Sequence, residues 1–493
     1  MEVFTSPYGL VAHAQTDAAV LRRYDMLPDI RGAADYAAFL AKRVAEEQAL
    51  VWRMGLQQGG APITTTCRPA PGPTGQQGIQ DMNDITRRGA LGATGAAAAA
   101  ALLPPQARAQ ASRPIRIGVL SDFSGAYRDY GGEGSTACVR QAIEDLKLGE
   151  QGIEVEILKA DHQNKPDVAL SVAREWFDRR DVDMVCDLNN TSVALAVGQL
   201  AREKNKVVLA TATASAVLTG EQCSSNLIHW TYDTYMLSKS TATATVAAGG
   251  NSWFFIVVNY AFGHQMQADA TRFVEDAGGR VLGAIRYPFP QTTDFSSFLV
   301  QAQSSGAKVL GLATGGADTT NCVKQAQEFG LLRRGMRVAV LLSYITDVHA
   351  LGLPDAQGML LTEAFYWDLN DRTRAFTRRL HANVPDLYPN HQQAGAYSAA
   401  IHYLRTAAAM GVDAAKADGL AVVNRMKATP TDDDVFGPGS IRADGRKIHP
   451  AYLFEVKTPA ESRGPWDYYK LAATTPAEQA FRPVSEGGCA LVK

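Results

Sequence analysis

Short hydroxyl and amide side chains follow three apolar, strand-like runs in the first half of the chain. They lie in segments 121–127, 189–192 and 211–215, each directly after such a run. Hydroxyl groups and the free N–H groups at helix N-termini bind carboxylates well, although the same residue types are also the preferred N-caps of helices. The candidate ligand-binding residues on this side are Ser124, Tyr127, Asn190, Thr191, Ser192, Ala212, Thr213 and Ser215.

Aromatic and small residues follow the strand-like runs of the second half of the chain. Aromatic side chains at strand ends are suited to wall a cleft that encloses a ligand, and packing between two lobes is the alternative role. The candidate residues on this side are Tyr260, Phe262, Gly315, Gly316, Asp318, Tyr344 and Trp367.

Signatures of catalysis and of metal binding are missing from the sequence. It contains no G-x-S-x-G, no H-E-x-x-H and no P-loop. The histidines do not cluster at the spacing of metal ligands, so His264, His391 and His402 are interpreted as surface or core residues. The sequence therefore predicts no cofactor, no metal and no enzymatic activity.

One glycine motif resembles a dinucleotide site in outline. Gly132-Glu133-Gly134-Ser135-Thr136-Ala137 fits G-x-G-x-x-A, and Asp161 ends a later strand-like run. The fingerprint must follow its strand directly, so that pyrophosphate meets the helix N-terminus. Here the strand ends at Leu120, well before Gly132, and Asp161 lies beyond the usual spacing of about 20 residues. An exported NAD(P)-dependent oxidoreductase stays a weaker alternative.

Composition and charge exclude several classes of protein. The 493 residues are 46% apolar and 20% charged, with a net charge of −2, which gives no field suited to nucleic acid or to an anionic membrane. The six cysteines form no C-x-x-C pair. No apolar run reaches the length of about 18 residues that a transmembrane helix needs.

Residues 82–109 have the order of parts that an export signal requires. Arg87 and Arg88 stand near its start, an Ala-rich apolar stretch runs from Ala90 to Leu103, and Ala107-Arg108-Ala109 forms a small-x-small cleavage site. The adjacent arginines indicate the twin-arginine route. We expect translation to begin at Met82, which would leave 1–81 as a disordered upstream extension that is not native, and we expect a periplasmic mature protein without membrane insertion.

Strand-like and helix-like segments alternate after the signal, and the alternation occurs twice. This order predicts an α/β fold with two lobes, each built on a parallel sheet. The predicted strands are 115–120, 155–160, 184–188 and 207–210, then 252–258, 280–287, 309–314 and 338–342, with a later one at 452–456. The predicted helices are 132–148, 167–178 and 193–204, then 265–277, 295–305 and 319–329, followed by 371–383 and 391–410.

Several stretches together carry a family resemblance that covers residues 113–493. They are IRIGVLSDFSGAY, VVLATATASAVLTG, CSSNLIHWTYDTY, NYAFG, PFPQTTDFSSFLVQAQSSGAKVLGL and YLFEVKTPAESRGPWDYYK. With them the chain resembles the type I periplasmic binding proteins of branched-chain amino acid ABC transporters. The resemblance implies two Rossmann-like lobes joined by a three-crossover hinge, with lobe 1 at 113–232 plus about 366–440 and lobe 2 at 236–365 plus about 441–493.

The resemblance also implies a function and a ligand site. The expected function is capture of a small organic acid or amino-acid-like ligand between the lobes and delivery to an ABC transporter permease; a periplasmic sensor of the same fold is the alternative. Segments 190–192 and 212–215 would hold the ligand carboxylate, Tyr232 would lie at the lobe crossover, and Gly315, Gly316 or Asp318 would contact the ligand.

Two further expectations depend on the resemblance. It places cysteines at positions suited to a disulfide between Cys223 and Cys489, whereas Cys138 and Cys322 are expected to be buried thiols. Amino-acid binders of the family hold the ligand ammonium with a Glu where this chain has Ser343 and Tyr344. This departure favours an organic acid over a free amino acid, unless Asp318 or Asp233 replaces the missing carboxylate.

Overall fold

The computed structural model describes residues 113–492, so the predictions for 1–81 and for the export signal at 82–109 lie outside the described residues. Five parallel strands form the first sheet, in the order β2-β1-β3-β4-β5. These strands are β1 (Ile115–Ser121), β2 (Val155–Asp161), β3 (Met184–Asp187), β4 (Val207–Ala210) and β5 (Leu227–His229). The central strands β3 and β4 are buried along their whole length, and β1 at every residue but Arg116, because helices cover both faces of the sheet.

Three helices connect these strands: α1 (Gly132–Leu146), α2 (Pro166–Arg179) and α3 (Thr191–Glu203). Residues of α2 and α3 share one apolar core with one face of the sheet, and α1 packs on the other face. The crossovers return each strand in the same direction, so the loops that follow the strands gather at one edge of the sheet.

A second parallel sheet repeats this arrangement, in the order β7-β6-β8-β9. Its elements are α4 (Thr234–Ala247), β6 (Ser252–Val258), α5 (Ala261–Asp276), β7 (Arg280–Tyr287), α6 (Ser296–Ser304), β8 (Val309–Ala313), α7 (Ala317–Glu328) and β9 (Arg337–Val340). The apolar residues of these elements form one core, which also contains Tyr127 and Tyr130 from the loop after β1.

The remaining chain returns to both sheets. Its elements are α8 (Ile345–Leu351), α9 (Leu353–Ala356), β10 (Leu360–Glu363), α10 (Asp371–Asn383), α11 (His391–Met410), α12 (Val412–Ala417), α13 (Gly419–Ala428), β11 (Ser440–Ile441), β12 (Lys447–Ile448), β13 (Ala451–Val456), β14 (Tyr469–Thr475) and α14 (Ala477–Ala480). Helix α11 packs along α1, whereas β10, β13 and β14 form an antiparallel sheet near α4.

We call the part built on the first sheet lobe 1 and the part built on the second parallel sheet and the antiparallel sheet lobe 2. The chain passes between them after β5, after β10 and before β13. The predicted α/β fold with two parallel sheets is confirmed. The predicted lobe boundaries stay a prediction. Lobe 2 was predicted to resume at about residue 441, whereas Arg446 still pairs with His229 of β5, a strand of lobe 1.

Within residues 113–492, no helix is long and apolar enough to cross a membrane. Across the same residues, no group of three or more histidine, cysteine, aspartate or glutamate side chains is arranged to hold a metal ion.

Candidate functional site

A small cavity lies where the carboxyl ends of both parallel sheets face each other. Its free volume is about 10 Å³, which is space for about one water molecule. Both lobes contribute to its wall, and none of the lining side chains carries a charge. The lining residues are Tyr127, Tyr130, Asn189, Thr191, Ala212, Ala214, Tyr232, Tyr260, Phe262, Leu342 and Gln392.

The loop after β1 brings two tyrosines to the cavity, and Asp122 holds that loop in place. One carboxylate oxygen of Asp122 accepts from the backbone N–H of Gly125 at 2.6 Å, and the other accepts from that of Tyr127 at 2.9 Å. Asn189, which follows β3, accepts from the N–H of Asp122 and donates to the carbonyl of Tyr127. These local bonds orient Tyr127 and leave its ring to face lobe 2.

Among the lobe 1 residues that line the cavity, Thr191 has a hydroxyl that remains available. It is the first residue of α3 and is buried, and its Oγ1 has no hydrogen-bond partner among residues 113–492. The adjacent Asn190 caps the helix, accepting from the N–H groups of Ser192 and Val193. A buried hydroxyl at a helix N-terminus is a donor suited to an anionic ligand.

A chain of hydrogen bonds joins Tyr232, Gln392 and Tyr344 across the cleft. The Gln392 Nε2 donates to the Tyr232 hydroxyl and to the Tyr344 hydroxyl, at 2.7 Å each. The Tyr232 hydroxyl in turn donates to the carbonyl of Ala212 at 2.9 Å. All three side chains are buried, so the bonds connect lobe 1 to lobe 2 without exposure to solvent.

Aromatic rings form the lobe 2 side of the cavity and its rim. The hydroxyls of Tyr127 and Tyr260 lie 3.0 Å apart across the cleft. Phe289, in the loop after β7, stacks on both rings, with centroid separations of 5.2 Å to Tyr127 and 5.4 Å to Tyr260. Phe262, buried at the start of α5, completes this wall. The rings bring the lobes into contact and leave little free space.

A second contact between the lobes lies behind the cavity, at Tyr130. Its hydroxyl donates to Asp347 Oδ2 at 2.7 Å and accepts from the backbone N–H of Gly316 at 2.6 Å. Gly316 has a φ of 60°, and a Cβ there would collide with the carbonyl of Ala126. Glycine is required at this position because the lobe 1 backbone passes directly against it.

Burial shifts the pKa values of the acids near the cleft. The pKa of Asp347 is raised to about 7 and that of Asp318 to about 6, in both cases because burial disfavours the ionised form. Asp318 accepts a hydrogen bond from the Tyr287 hydroxyl at 2.8 Å. Asp233 lies 3.8 Å from the guanidinium of Arg446. Each of these carboxyls therefore already has a partner within the chain.

The structure brings together some of the residues that the sequence analysis named. Those that line the cavity are Tyr127, Thr191, Ala212, Tyr232, Tyr260 and Phe262. Gly315, Gly316 and Tyr344 contact lining residues from behind. Ser192 is half-buried on α3 and does not line the cavity. The others have partners elsewhere: Ser124 bonds Asp161, Asn190 caps α3, Thr213 bonds Leu188, Ser215 caps Val217, Asp318 bonds Tyr287 and Trp367 bonds Trp466.

Five further residues line the cavity but were not among the candidate ligand residues: Tyr130, Asn189, Ala214, Leu342 and Gln392. Asn189 and Ala214 lie inside the loop segments 189–192 and 211–215 named above, and Tyr130 and Leu342 lie within three residues of a candidate, so wider loop windows would have included them. Gln392 is different, because it lies at the start of α11 and no strand end precedes it. Only the packing of α11 against α1 carries it to the cleft.

A disulfide joins Cys223 to Cys489, with the two Cα atoms 5.6 Å apart. It ties the C-terminal segment to the loop before β5. Cys138, Cys186 and Cys322 are buried free thiols.

Two open α/β sheets that face a shared, buried and partly polar cavity define a two-lobed binding protein. The family model described as periplasmic binding protein matches residues 114–464. The chain therefore belongs to the periplasmic binding protein family.

Individual relatives agree with this assignment. The crystal structure of a periplasmic binding protein from Burkholderia mallei is 43% identical, with a TM-score of 0.73, covering 77% of this chain and 99% of that chain. The structure of a branched chain amino acid ABC transporter periplasmic ligand-binding protein from Burkholderia xenovorans LB400 is 40% identical, with a TM-score of 0.67, covering 77% and 100%.

A curated relative matches over a shorter region. Leu/Ile/Val-binding protein homolog 6 of Brucella melitensis is 26% identical over 261 residues, which is 52% of this chain and 65% of that protein. The match thus spans less than two thirds of the curated relative's length.

Proposed function

We propose that this protein captures a small organic acid in the cleft between its lobes and delivers it to the permease of an ABC importer. The observation that carries the proposal is the cavity itself, which strand-end loops of both parallel sheets build together. A ligand that contacts both lobes stabilises the closed form, because it loses half of those contacts when the lobes separate.

The chemistry of the lining favours an acid over a free amino acid. Thr191 supplies a buried hydroxyl at the N-terminus of α3, where the helix dipole favours an anion. Of the residues at 113–492, no carboxylate lines the cavity, and Asp318 and Asp233 are held by Tyr287 and Arg446. An ammonium group there would be desolvated without a charged partner, whereas an apolar ligand body would gain from contact with the aromatic wall.

Relatives support binding of a small carboxylate without naming this chain's ligand. The Burkholderia xenovorans LB400 protein is described as a ligand-binding protein of a branched chain amino acid transporter. An R. palustris solute binding protein with the same fold, 20% identical with a TM-score of 0.67, is in complex with benzoate. Amino acids and aromatic acids both carry a carboxylate, so an experiment has to distinguish them by their other polar group, which is an ammonium in an amino acid.

We also propose that the protein has no catalytic activity. In the glycine motif at the start of α1, the N–H of Gly132 donates to Asp187 at 2.9 Å. A carboxylate of the chain itself thus lies at the helix N-terminus where a dinucleotide pyrophosphate would bind. The Asp187 carboxylate would repel a phosphate group at that place, which argues against the oxidoreductase alternative.

For export we propose the twin-arginine route, on the motif of residues 82–109. Exchange of both Arg87 and Arg88 for Lys should abolish export, and N-terminal sequencing of the periplasmic protein should begin just after Ala109. A periplasmic chain that retains residues of 1–81 would contradict the expected start and cleavage sites.

Calorimetry with matched ligand pairs tests the proposed ligand class. Leucine is compared with 4-methyl-2-oxopentanoate, and phenylalanine with 3-phenylpropionate. We expect the acid of each pair to bind more tightly. Tighter binding of the amino acid in both pairs would show that the ligand is an amino acid and that another carboxyl meets its ammonium.

A variant of the hydroxyl residue sharpens the same experiment. Thr191→Val keeps the shape of the side chain and removes its donor, so acids should bind about 10-fold more weakly. Thr429→Val, beyond the end of α13 and away from the cavity, serves as the matched control and should bind acids like the unmodified protein.

A further inference from the structure

The side-chain amide of Gln392 has an orientation that its neighbours determine. The Tyr232 hydroxyl donates its only hydrogen to the carbonyl of Ala212 at 2.9 Å. A carbonyl oxygen accepts and cannot donate, so the Tyr232 hydroxyl must accept from Gln392. The atom 2.7 Å from it is therefore Nε2, and the second hydrogen of Nε2 goes to Tyr344, also at 2.7 Å.

This orientation leaves the Oε1 of Gln392 without a donor. Gln392 is 1% exposed, and no group of residues 113–492 donates to that oxygen. A buried carbonyl oxygen almost always accepts a hydrogen bond, because leaving it unpaired after removal from water is unfavourable. Gln392 and Thr191 both line the cavity, and each retains one polar atom without a partner.

The surroundings of Gln392 indicate which kind of donor fits. Its neighbours Tyr232 and Tyr344 are neutral, and burial lowers the pKa of His391 well below its usual value, so this ring is neutral as well. Two carboxyls near these residues already have donors within the chain, Asp347 from the Tyr130 hydroxyl and Glu363 from the Tyr469 hydroxyl. A neutral acceptor in a neutral setting fits a hydroxyl group, since an ammonium would need a counter-charge.

We infer that Gln392 determines specificity by accepting a hydrogen bond from a hydroxyl group on the ligand, so that the ligands are hydroxylated carboxylic acids. The inference rests on the proposed function, because Thr191 is taken to bind the carboxylate of the same molecule. It assigns the two unpartnered atoms of the cavity to two different groups of one ligand.

Acids that differ by a single hydroxyl group test this inference on the full chain. The probes are benzoate with 4-hydroxybenzoate, 3-phenylpropionate with 3-(4-hydroxyphenyl)propionate, and hexanoate with 6-hydroxyhexanoate. The three pairs cover different distances between carboxylate and hydroxyl. Calorimetry should give at least one pair in which the hydroxylated acid binds about 10-fold more tightly than its partner.

The variant Gln392→Met removes both polar atoms while keeping the length of the side chain. The preference for the hydroxylated member should fall below about 3-fold, chiefly through weaker binding of that member. A purely structural role of Gln392 would weaken both members equally and leave the ratio unchanged. Gln199→Met, on the exposed face of α3, is the matched control and should keep the full ratio.

The outcomes of these measurements separate the inference about Gln392 from the proposed function. If acids bind but the hydroxylated member is never favoured, or if Gln392→Met keeps the ratio, the inference about Gln392 is wrong and acid binding stands. If none of the six acids binds, the proposed function fails, and the inference fails with it.

A second variant covers the case in which Gln392→Met does not fold. Tyr344→Phe removes one acceptor of Nε2 and leaves Oε1 unchanged, so the ratio between hydroxylated and unhydroxylated acids should persist. Loss of the ratio in this variant would show that the bridge to lobe 2, and not Oε1, produces the selectivity, which would overturn the inference.

Discussion

The lobes meet in two regions whose contacts differ in kind. On the cleft side, single hydrogen bonds join them, mostly through tyrosine hydroxyls, such as Tyr127 to Tyr260 and Tyr130 to Asp347, beside one backbone bond from Ala317 to Ala126. On the crossover side, Arg446 is fully buried beside the first crossover, donating to the carbonyl of Tyr232 at 3.0 Å. Hydrogen bonds between hydroxyls are readily replaced by bonds to water, whereas separating a buried guanidinium from its partners costs much more free energy.

This difference indicates which side opens and which side acts as the hinge. Separation of the cleft exposes tyrosine hydroxyls that water can satisfy at little cost. Separation at the crossovers would expose Asp233 and Arg446, and would strain the segment that the disulfide between Cys223 and Cys489 ties down. Hinge closure of two lobes about fixed crossovers follows from this asymmetry. Four predictions test it, beginning with the largest effect.

Arg446→Met should destabilise the protein most. The change leaves the buried carboxyl of Asp233 without its counter-charge, at a cost of about 3–5 kcal/mol in the free energy of unfolding. Urea denaturation of the full chain measures the loss. Arg272→Met, which breaks an exposed pair with Glu486, is the control and should cost at most about 1 kcal/mol. Equal losses in the two variants would contradict the special role of the crossover side.

Removal of the disulfide should have the next largest effect. Exchange of both Cys223 and Cys489 for Ala should lower the free energy of unfolding by about 2–4 kcal/mol, because the unfolded chain gains conformational freedom. Reductant should produce the same loss in the unmodified protein and no further loss in the variant. If reductant destabilises both proteins equally, the stabilisation has another source.

Asp347 should make the cleft contact sensitive to pH. Its pKa is raised to about 7 by burial, whereas an aspartate in the unfolded chain ionises near pH 4. Its contribution to stability is therefore complete below about pH 4 and is lost as the pH rises through about 7. Glu363, with a pKa raised to about 8 by burial, has the same sign.

Asp347→Asn removes the ionisation, so the free energy of unfolding should fall less between pH 5 and 8 than in the unmodified protein. Urea midpoints at several pH values measure the slope. Asp371→Asn is the control, because the side-chain bond from Arg374 lowers the pKa of this exposed residue, so it stays ionised between pH 5 and 8 and its exchange should leave the slope unchanged. Identical slopes for Asp347→Asn and the unmodified protein would show that Asp347 does not titrate in this range.

Tyr127→Phe should have the smallest effect. It removes the hydroxyl that faces Tyr260 but keeps the stacking on Phe289, so the free energy of unfolding should fall by no more than about 1 kcal/mol. Tyr388→Phe is the control, since that hydroxyl forms no hydrogen bond within residues 113–492 and its loss should change nothing measurable. A loss from Tyr127→Phe as large as that from Arg446→Met would erase the difference between the two regions.

Local patterns predicted most of the elements well. Helices α10 and α11 have the predicted bounds of 371–383 and 391–410, because their caps and apolar periodicity are readable over a few residues. The buried strands read as continuous apolar runs for the reason that both faces of the sheet are covered. The strands β5, β10 and β14 were not predicted. Strand β5 has only three residues, β10 pairs with β13 far along the chain, and β14 is largely exposed and so lacks an apolar run.

The candidate site was predicted less completely than the fold. Loops after strands were expected to converge, and Thr191 and Tyr260 do line one cavity. Asn190 and Ser215 have equally suitable side chains, but Asn190 caps α3 and Ser215 accepts from the N–H of Val217 in its own loop. The residue type is equally compatible with ligand binding and with helix capping, and only the hydrogen bonds of the folded chain distinguish these two roles.

The sequence by itself determined the two-lobed α/β architecture and the edge at which a ligand site must lie, because both follow from local periodicity and from the handedness of strand crossovers. Only the tertiary structure decided which polar atoms remain available there. Gln392 reaches the cavity through packing of α11 on α1, and its Oε1 stays unpaired because Tyr232 is already bound to Ala212. Such a result depends on partners more than a hundred residues apart, which no local pattern encodes.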